Sequence, residues 1–209
     1  ELGVTIRPYN DIYDAVGQLK GQKVLLETAK TNYAIISNLD ETNTIVDCMN
    51  PTAPAKAVKN PVEIENMKKA HIKDGVAMAK FIFWLKKNIG KQTITELDAE
   101  HYLDQLRAEQ EGNLGLSFHT ISAYGANAAM CHYSATPESN AVLEPKGLYL
   151  VDSGGQYYEG TTDITRTIVV GPLTEEEKDE VRSQIGEFRK YAPLIQNGRY
   201  YRLTDPFKS

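Results

Sequence analysis

An α+β architecture is expected for this chain from two features of its longer, later part. From residue 60 onward amphipathic helical segments come first, and an antiparallel set of β-branched and aromatic runs, broken by Gly, Pro and Asn clusters, follows them. That order differs from the strand–helix alternation of a doubly wound parallel sheet.

The first 50 residues alternate short apolar runs with polar breaks. Asn10 to Leu19 has helical spacing through Ile12, Ala15, Val16 and Leu19, while Lys23 to Glu27 and Ala34 to Ser37 read as buried strands. Met49 to Ala57 contains two prolines and little apolar content, which predicts a linker or domain edge. A helix start follows. Asn60 can cap, Pro61 suits the first helical position, and Glu63 and Glu65 lie where the helix dipole favours negative charge. Ile64, Met67, Ala70, Ile82 and Leu85 keep one apolar stripe, with Gly75 lowering propensity between them. A second helix begins at Thr95, with Asp98 three residues on as a capping-box analogue, and ends at Gly112 and Gly115. Strands are expected over Phe118 to Ser122, Tyr149 to Val151 and Ile164 to Val170. Thr174 with Glu177 caps a last helix, reaching to about Ile195.

Composition narrows the function classes. The 209 residues carry 23 basic and 28 acidic side chains, a net charge of -5 that argues against nucleic acid as a partner. No apolar run approaches the roughly 18 residues of a membrane helix, and no signal peptide is visible, so a cytoplasmic protein is expected. Two cysteines, Cys48 and Cys131, make neither a disulfide framework nor a zinc site.

The richest stretch is LVDSGGQYYEGTTDITRTIVVG, Leu150 to Gly171. Asp152 and Asp163 lie on its two arms. A turn centred between Tyr157 and Tyr158 would set the carboxylates opposite each other, roughly 4.5–5.5 Å apart at Cβ. A bulge at Gly154–Gly155 or Glu159–Gly160 would shift that pairing. Facing carboxylates repel, so either one takes up a proton or a cation holds both ionised. An all-oxygen pair suits manganese, magnesium or cobalt. Equally, each aspartate could cap its own turn, as Asp does in Gly-rich segments.

His132 follows a glycine-containing turn, Gly125 to Ala129, and either carries protons near neutral pH or is a hydrogen-bonded structural imidazole. His119 reads as structural, and His71 and His101 as solvated helix residues. Cys131 lacks basic neighbours that would activate its thiol. There is no P-loop and no dinucleotide-binding glycine motif.

Three segments, KNPVEIENMKKAHIKDGVA (Lys59 to Ala77), GANAAMCHY (Gly125 to Tyr133) and DSGGQYYEGTTDITRT (Asp152 to Thr167), resemble the pita-bread metallopeptidases, and most closely the three-domain Xaa-Pro aminopeptidases. The resemblance implies the N-terminal half of a pita-bread fold over residues 55–177, preceded over 1–54 by the end of a non-catalytic creatinase-N-like α/β domain. It implies hydrolysis of the peptide bond before a proline in second position. Asp152 would be a terminal metal ligand, Asp163 a bridge between two divalent ions (manganese in these aminopeptidases), and His132 a catalytic residue beside them. Arg166 is a candidate second-sphere contact to a ligand carboxylate.

The same resemblance implies one histidine and two glutamate ligands further downstream, and no histidine follows Asp163. Glu175, Glu176, Glu177, Glu180 and Glu187 lie on the expected last helix, in no matching context. Impaired activity is therefore expected of this chain. The competing reading is a non-catalytic pita-bread fragment or binding module, which would self-associate through exposed sheet edges and apolar surface. Residues 178–209 are an atypical tail whose QNGRYYRLTDPF stretch is similar to one in large α-galactosidases, giving a chimera as the minor alternative.

Overall fold

The computed structural model describes residues 3–191. The chain divides into two compact units at Asn60/Pro61.

The first unit runs α1 (Asp11–Gly17), β1 (Lys23–Leu26), α2 (Tyr33–Asn38), β2 (Thr44–Asp47) and α3 (Thr52–Ala57). β1 and β2 pair in parallel, from Lys23 opposite Thr44 to Leu26 opposite Asp47. Two expectations are corrected here. Ala34 to Ser37 is helical, because Asn32 Oδ1 accepts the Ala34 N–H at 2.8 Å and caps the turn; the partner strand is Thr44–Asp47. The expected linker Met49 to Ala57 contains α3, started by Asn50 Oδ1, which accepts the Thr52 N–H at 3.0 Å and hydroxyl at 2.8 Å.

The second unit opens with α4 (Pro61–Asn88) and α5 (Glu96–Ala108), the latter started by the Thr95–Asp98 capping box. Six short strands follow: β3 (Asn113–Leu116), β4 (Ile121–Tyr124), β5 (Leu148–Ser153), β6 (Gly155–Tyr157), β7 (Gly160–Thr161) and β8 (Ile164–Val169). A 3₁₀ helix, Gly125–Ala129, leaves β4, and α6 (Glu175–Tyr191) closes the described chain. Glu177 accepts from the Thr174 N–H at 2.7 Å and Thr174 Oγ1 from the Glu177 N–H at 3.1 Å, the expected box. The remainder of the expected tail lies outside the described residues.

Two antiparallel three-stranded sheets result, ordered β4-β5-β8 and β3-β6-β7. Alternation along β5 buries Tyr149, Val151 and Ser153 and turns Asp152 to the other face. Phe81 and Leu85 of α4 and Leu103 of α5 meet Tyr149, Val151 and Ile168 in the main core. Each large apolar side chain buried there contributes about 1.5–3 kcal/mol relative to exposure. Inside the same unit Arg107 and Asp74 are fully buried as a two-point pair, Nε to Oδ1 at 2.6 Å and Nη2 to Oδ2 at 3.2 Å. Tyr157 donates its hydroxyl to the same Oδ1 at 3.0 Å, fastening β6 to both helices.

The register of the long hairpin differs from the sequence expectation. Asp152 faces Thr165, and Tyr157 pairs with Gly160, so the turn holds Tyr158 and Glu159. Two tertiary contacts fix it there: the Tyr158 N–H donates to the Gly112 carbonyl at 3.1 Å, and Glu159 pairs with Lys73 of α4 at 2.6 Å.

Candidate metal centre

The hairpin carries both aspartates, and its backbone places them. The ladder passes from the β5–β8 sheet into the β6–β7 sheet without changing register: Ser153 faces Ile164, and the Thr162 N–H donates to the Gly155 carbonyl at 2.9 Å. Between these lies a kink at Gly154 and Asp163. A Cβ on Gly154 would stand 2.0 Å from the Thr162 carbonyl oxygen, so only glycine admits the approach. Ser117 locks the crossing, its hydroxyl donating to Thr162 O at 2.8 Å and its N–H to Gly154 O at 3.1 Å.

Asp152 lies on β5 opposite Thr165, and Asp163 directly precedes β8, two residues before Thr165. Asp152 is half-buried, and its Oδ1 accepts the Thr165 hydroxyl at 2.6 Å, which orients the carboxyl. Asp163 is exposed at the kink. An oxygen pair of this kind fits a hard or borderline divalent cation. No group of three or more His, Cys, Asp and Glu among the described residues is arranged to hold a metal.

His132 is exposed and has φ 56°, the one non-glycine residue with positive φ among those described. That region is sparsely populated by side-chain-bearing residues and marks a backbone held by its surroundings. The holding group is Glu96, which is fully buried at the start of α5. Its Oε1 accepts the Tyr124 N–H at 2.6 Å; its Oε2 accepts the Tyr133 hydroxyl at 2.8 Å and the Ala141 N–H at 3.0 Å. Asn127 Nδ2 donates to both oxygens, at 3.1 and 3.2 Å. Tyr133 and Ala135 pack on Ala123, so the chain carrying His132 runs back alongside β4. Ser134 Oγ then meets His119 Nε2 at 2.9 Å, two residues before Ile121, the β4 residue that faces Asp152.

The sequence had singled out His132 and missed Glu96, whose only local signal is an acidic side chain in the first turn of α5. Burial holds the Tyr133 phenol above its ordinary pKa, and the adjoining Glu96 carboxylate adds to the effect. His119 is exposed rather than embedded in a strand, which begins later, at Ile121, than expected; its ring reaches Glu100 instead. His71 and His101 are exposed helix residues, as expected. Arg166 donates to the Thr165 carbonyl at 2.7 Å and so touches the residue that holds Asp152. Cys48 and Cys131 are free and exposed.

Comparison with known proteins places this geometry. The profile of metallopeptidase family M24 matches residues 65–184, and that of the creatinase/prolidase N-terminal domain matches residues 1–63. Xaa-Pro aminopeptidase 2 of Mus musculus is 39% identical over 178 residues, covering 84% of this chain and 26% of the mouse protein. The Homo sapiens form is 37% identical over 202 residues, covering 94% of this chain and 30% of its own length. The chain thus spans about a quarter to a third of these relatives. Among solved structures, the X-prolyl aminopeptidase of Caenorhabditis elegans, described as a cytosolic enzyme with a di-nuclear active site, superposes with TM-score 0.73 at 33% identity over 83% of this chain and 30% of that one. The X-Pro aminopeptidase of Thermotoga maritima shares the fold with TM-score 0.60 at 23% identity, over 92% of this chain and 53% of its own. With the carboxylate hairpin and the profile match in agreement, the chain belongs to metallopeptidase family M24 and carries part of its pita-bread fold.

Proposed function

We propose that Asp152 and Asp163 are the carboxylate part of a two-metal site that hydrolyses the bond between an N-terminal residue and a following proline. The observation that supports this reading is the hairpin itself, in which Asp152 stands opposite Thr165 and Asp163 adjoins the close approach that only Gly154 admits. Two divalent ions bound there, manganese in our reading, would supply a nucleophile at neutral pH and charge stabilisation for an oxyanion. Thr165 holds Asp152 so that one oxygen points in a fixed direction. Asp163, open to solvent at the kink, would be the carboxylate shared by the two ions. His132 offers an imidazole as the group that would pass a proton to a leaving proline nitrogen.

The fit to peptides with proline second rests on the names of the relatives in Mus musculus, Homo sapiens and Caenorhabditis elegans. A cytoplasmic location rests on the likeness to the worm enzyme, which is cytosolic; among the described residues no helix is long and apolar enough to cross a membrane. We further assign residues 1–54 to the preceding non-catalytic domain, 55–177 to the catalytic half-fold and 178–209 to a tail, with self-association through uncovered sheet edges.

Two carboxylates alone hold manganese weakly, and no third donor joins them among the described residues. On this reading the isolated chain is an impaired peptidase, and a non-catalytic fragment is the second reading that the same observation favours. Manganese stoichiometry and affinity of the purified chain near neutral pH, with Asp163→Ala alongside, decide between them. About two ions per chain at micromolar affinity, lost in the variant, uphold the site. Binding only above the millimolar range, unchanged by the substitution, makes the chain a fragment without a metal centre.

A further inference from the structure

Beside the His132 segment stands a second polar cluster that the metal site does not use. Glu100 on α5 is 4% exposed, and its buried Oε2 has no hydrogen-bond partner among the described residues. Its Oε1 lies 3.6 Å from His119 Nε2, the same nitrogen that meets Ser134 Oγ at 2.9 Å. One ring nitrogen therefore faces a buried carboxyl on a helix and a hydroxyl two residues beyond His132.

A single nitrogen cannot serve both neighbours in the same way in every protonation state. When Nε2 carries a hydrogen it is a donor, and the Glu100 carboxylate and the Ser134 oxygen compete to accept it. When Nε2 is bare it accepts the Ser134 hydroxyl hydrogen, and a Glu100 carboxylate would then face a lone pair, so the carboxyl must hold a proton or turn away. Loss of the Glu100 proton to solvent thus favours the first arrangement, and its return the second.

We propose that His119 is a positioning residue whose Nε2, set between Ser134 and Glu100, couples proton occupancy of the buried carboxyl to the conformation of the segment carrying His132. The inference rests on the reading of His132 as a site residue, yet the coupling can be observed without metal or peptide.

Several groups around Glu100 bear on its proton. Burial pushes the Glu100 pKa up, and the His119 imidazole opposes it; Asp104 and His101 on the same helix act in opposite senses. Asp104, also raised by burial, is held by the Thr120 hydroxyl at 2.8 Å. From β5 the buried Tyr149 phenol faces the same acidic group, its hydroxyl hydrogen-bonded to Ser122 at 2.7 Å.

Imidazole NMR of metal-free chain labelled with ¹⁵N-histidine, followed from about pH 4 to about pH 9, tests the coupling. The expected result is a shared second inflection in the His119 and His132 profiles. Glu100→Gln should remove it from both, and Ser134→Ala, at an exposed residue, should remove it from His132 while leaving it at His119. A His132 profile with one inflection, the same in wild type and both variants, overturns the proposal. So does a second inflection at His132 that survives Ser134→Ala, since the link would then bypass that hydroxyl. Manganese binding plays no part in this readout, so its failure would count against the metal centre alone.

Discussion

Glu96 and Tyr133, 37 positions apart, meet at 2.8 Å between carboxylate and phenol in the buried interior of the second unit. This contact joins the first turn of α5 to the residue after His132. A hydrogen bond to a charged group of this kind contributes about 1.5–3 kcal/mol. Tyr133→Phe should lower the unfolding free energy by that amount in urea titration, and His132 amide exchange should accelerate more than global stability alone accounts for. An unchanged exchange rate would mean that the phenol does not hold the loop.

Thr165→Val removes the hydroxyl that orients Asp152 and keeps the side-chain shape. Outer partners of ligand carboxylates typically matter by 10–100-fold in metal affinity. If the chain binds manganese, calorimetry should show roughly tenfold weaker binding in Thr165→Val, against complete loss in Asp163→Ala. Equal affinity in Thr165→Val and wild type would show that the Thr165 contact leaves the carboxyl free.

Gly154→Ala should be among the most damaging small substitutions in the chain. The added methyl would overlap the Thr162 carbonyl at 2.0 Å, and the neighbour is backbone that cannot move aside cheaply. A cost of about 3 kcal/mol is expected, with loss of the hairpin's slow-exchanging amides. Wild-type stability in the variant would mean that the kink is flexible.

Glu100 gives stability an acid-favouring component. Its pKa is higher in the folded than in the unfolded chain, so the folded state binds more protons in the window above 4.5, the ordinary glutamate value. That contribution is complete below the window and is lost as pH rises through it. Glu100→Gln removes the dependence, so the stability difference between variant and wild type should move in the variant's favour from about pH 4 to about pH 7. A pH-independent difference would mean that the carboxyl is as well solvated folded as unfolded.

Asp74→Ala strips the partner from fully buried Arg107, whose Nη1 already lacks a hydrogen bond among the described residues. An uncompensated buried charge costs about 3–5 kcal/mol. Denaturant titration should show a loss of this size, and Asp74→Ala with Arg107→Met together should recover part of it.

Much of this architecture could be read from the chain because its signals are local. The Thr95–Asp98 and Thr174–Glu177 boxes and Pro61 mark helix starts by hydrogen bonds that span one turn. The hairpin was legible for the same reason, its polar, Gly-containing connection lying between two β-rich arms. What failed depended on distant partners. The turn sits on Tyr158 and Glu159 because Gly112 and Lys73 hold it there. Ala34 to Ser37 is too short to declare its period, and Asn32 decides for helix. Glu96 looks like any first-turn acid until Tyr124, Tyr133 and Ala141 close around it. The two aspartates are not opposite each other as the sequence pattern predicts, because Thr165 takes the place opposite Asp152.

His132 occupies a backbone conformation that glycine adopts freely, and for a residue with a Cβ it costs about 1–2 kcal/mol. Position 132 therefore sets folding against chemistry: His132→Gly should fold more stably than wild type, and His132→Ala should gain nothing. The polypeptide would exchange this imidazole for a hydrogen atom if stability were the sole criterion.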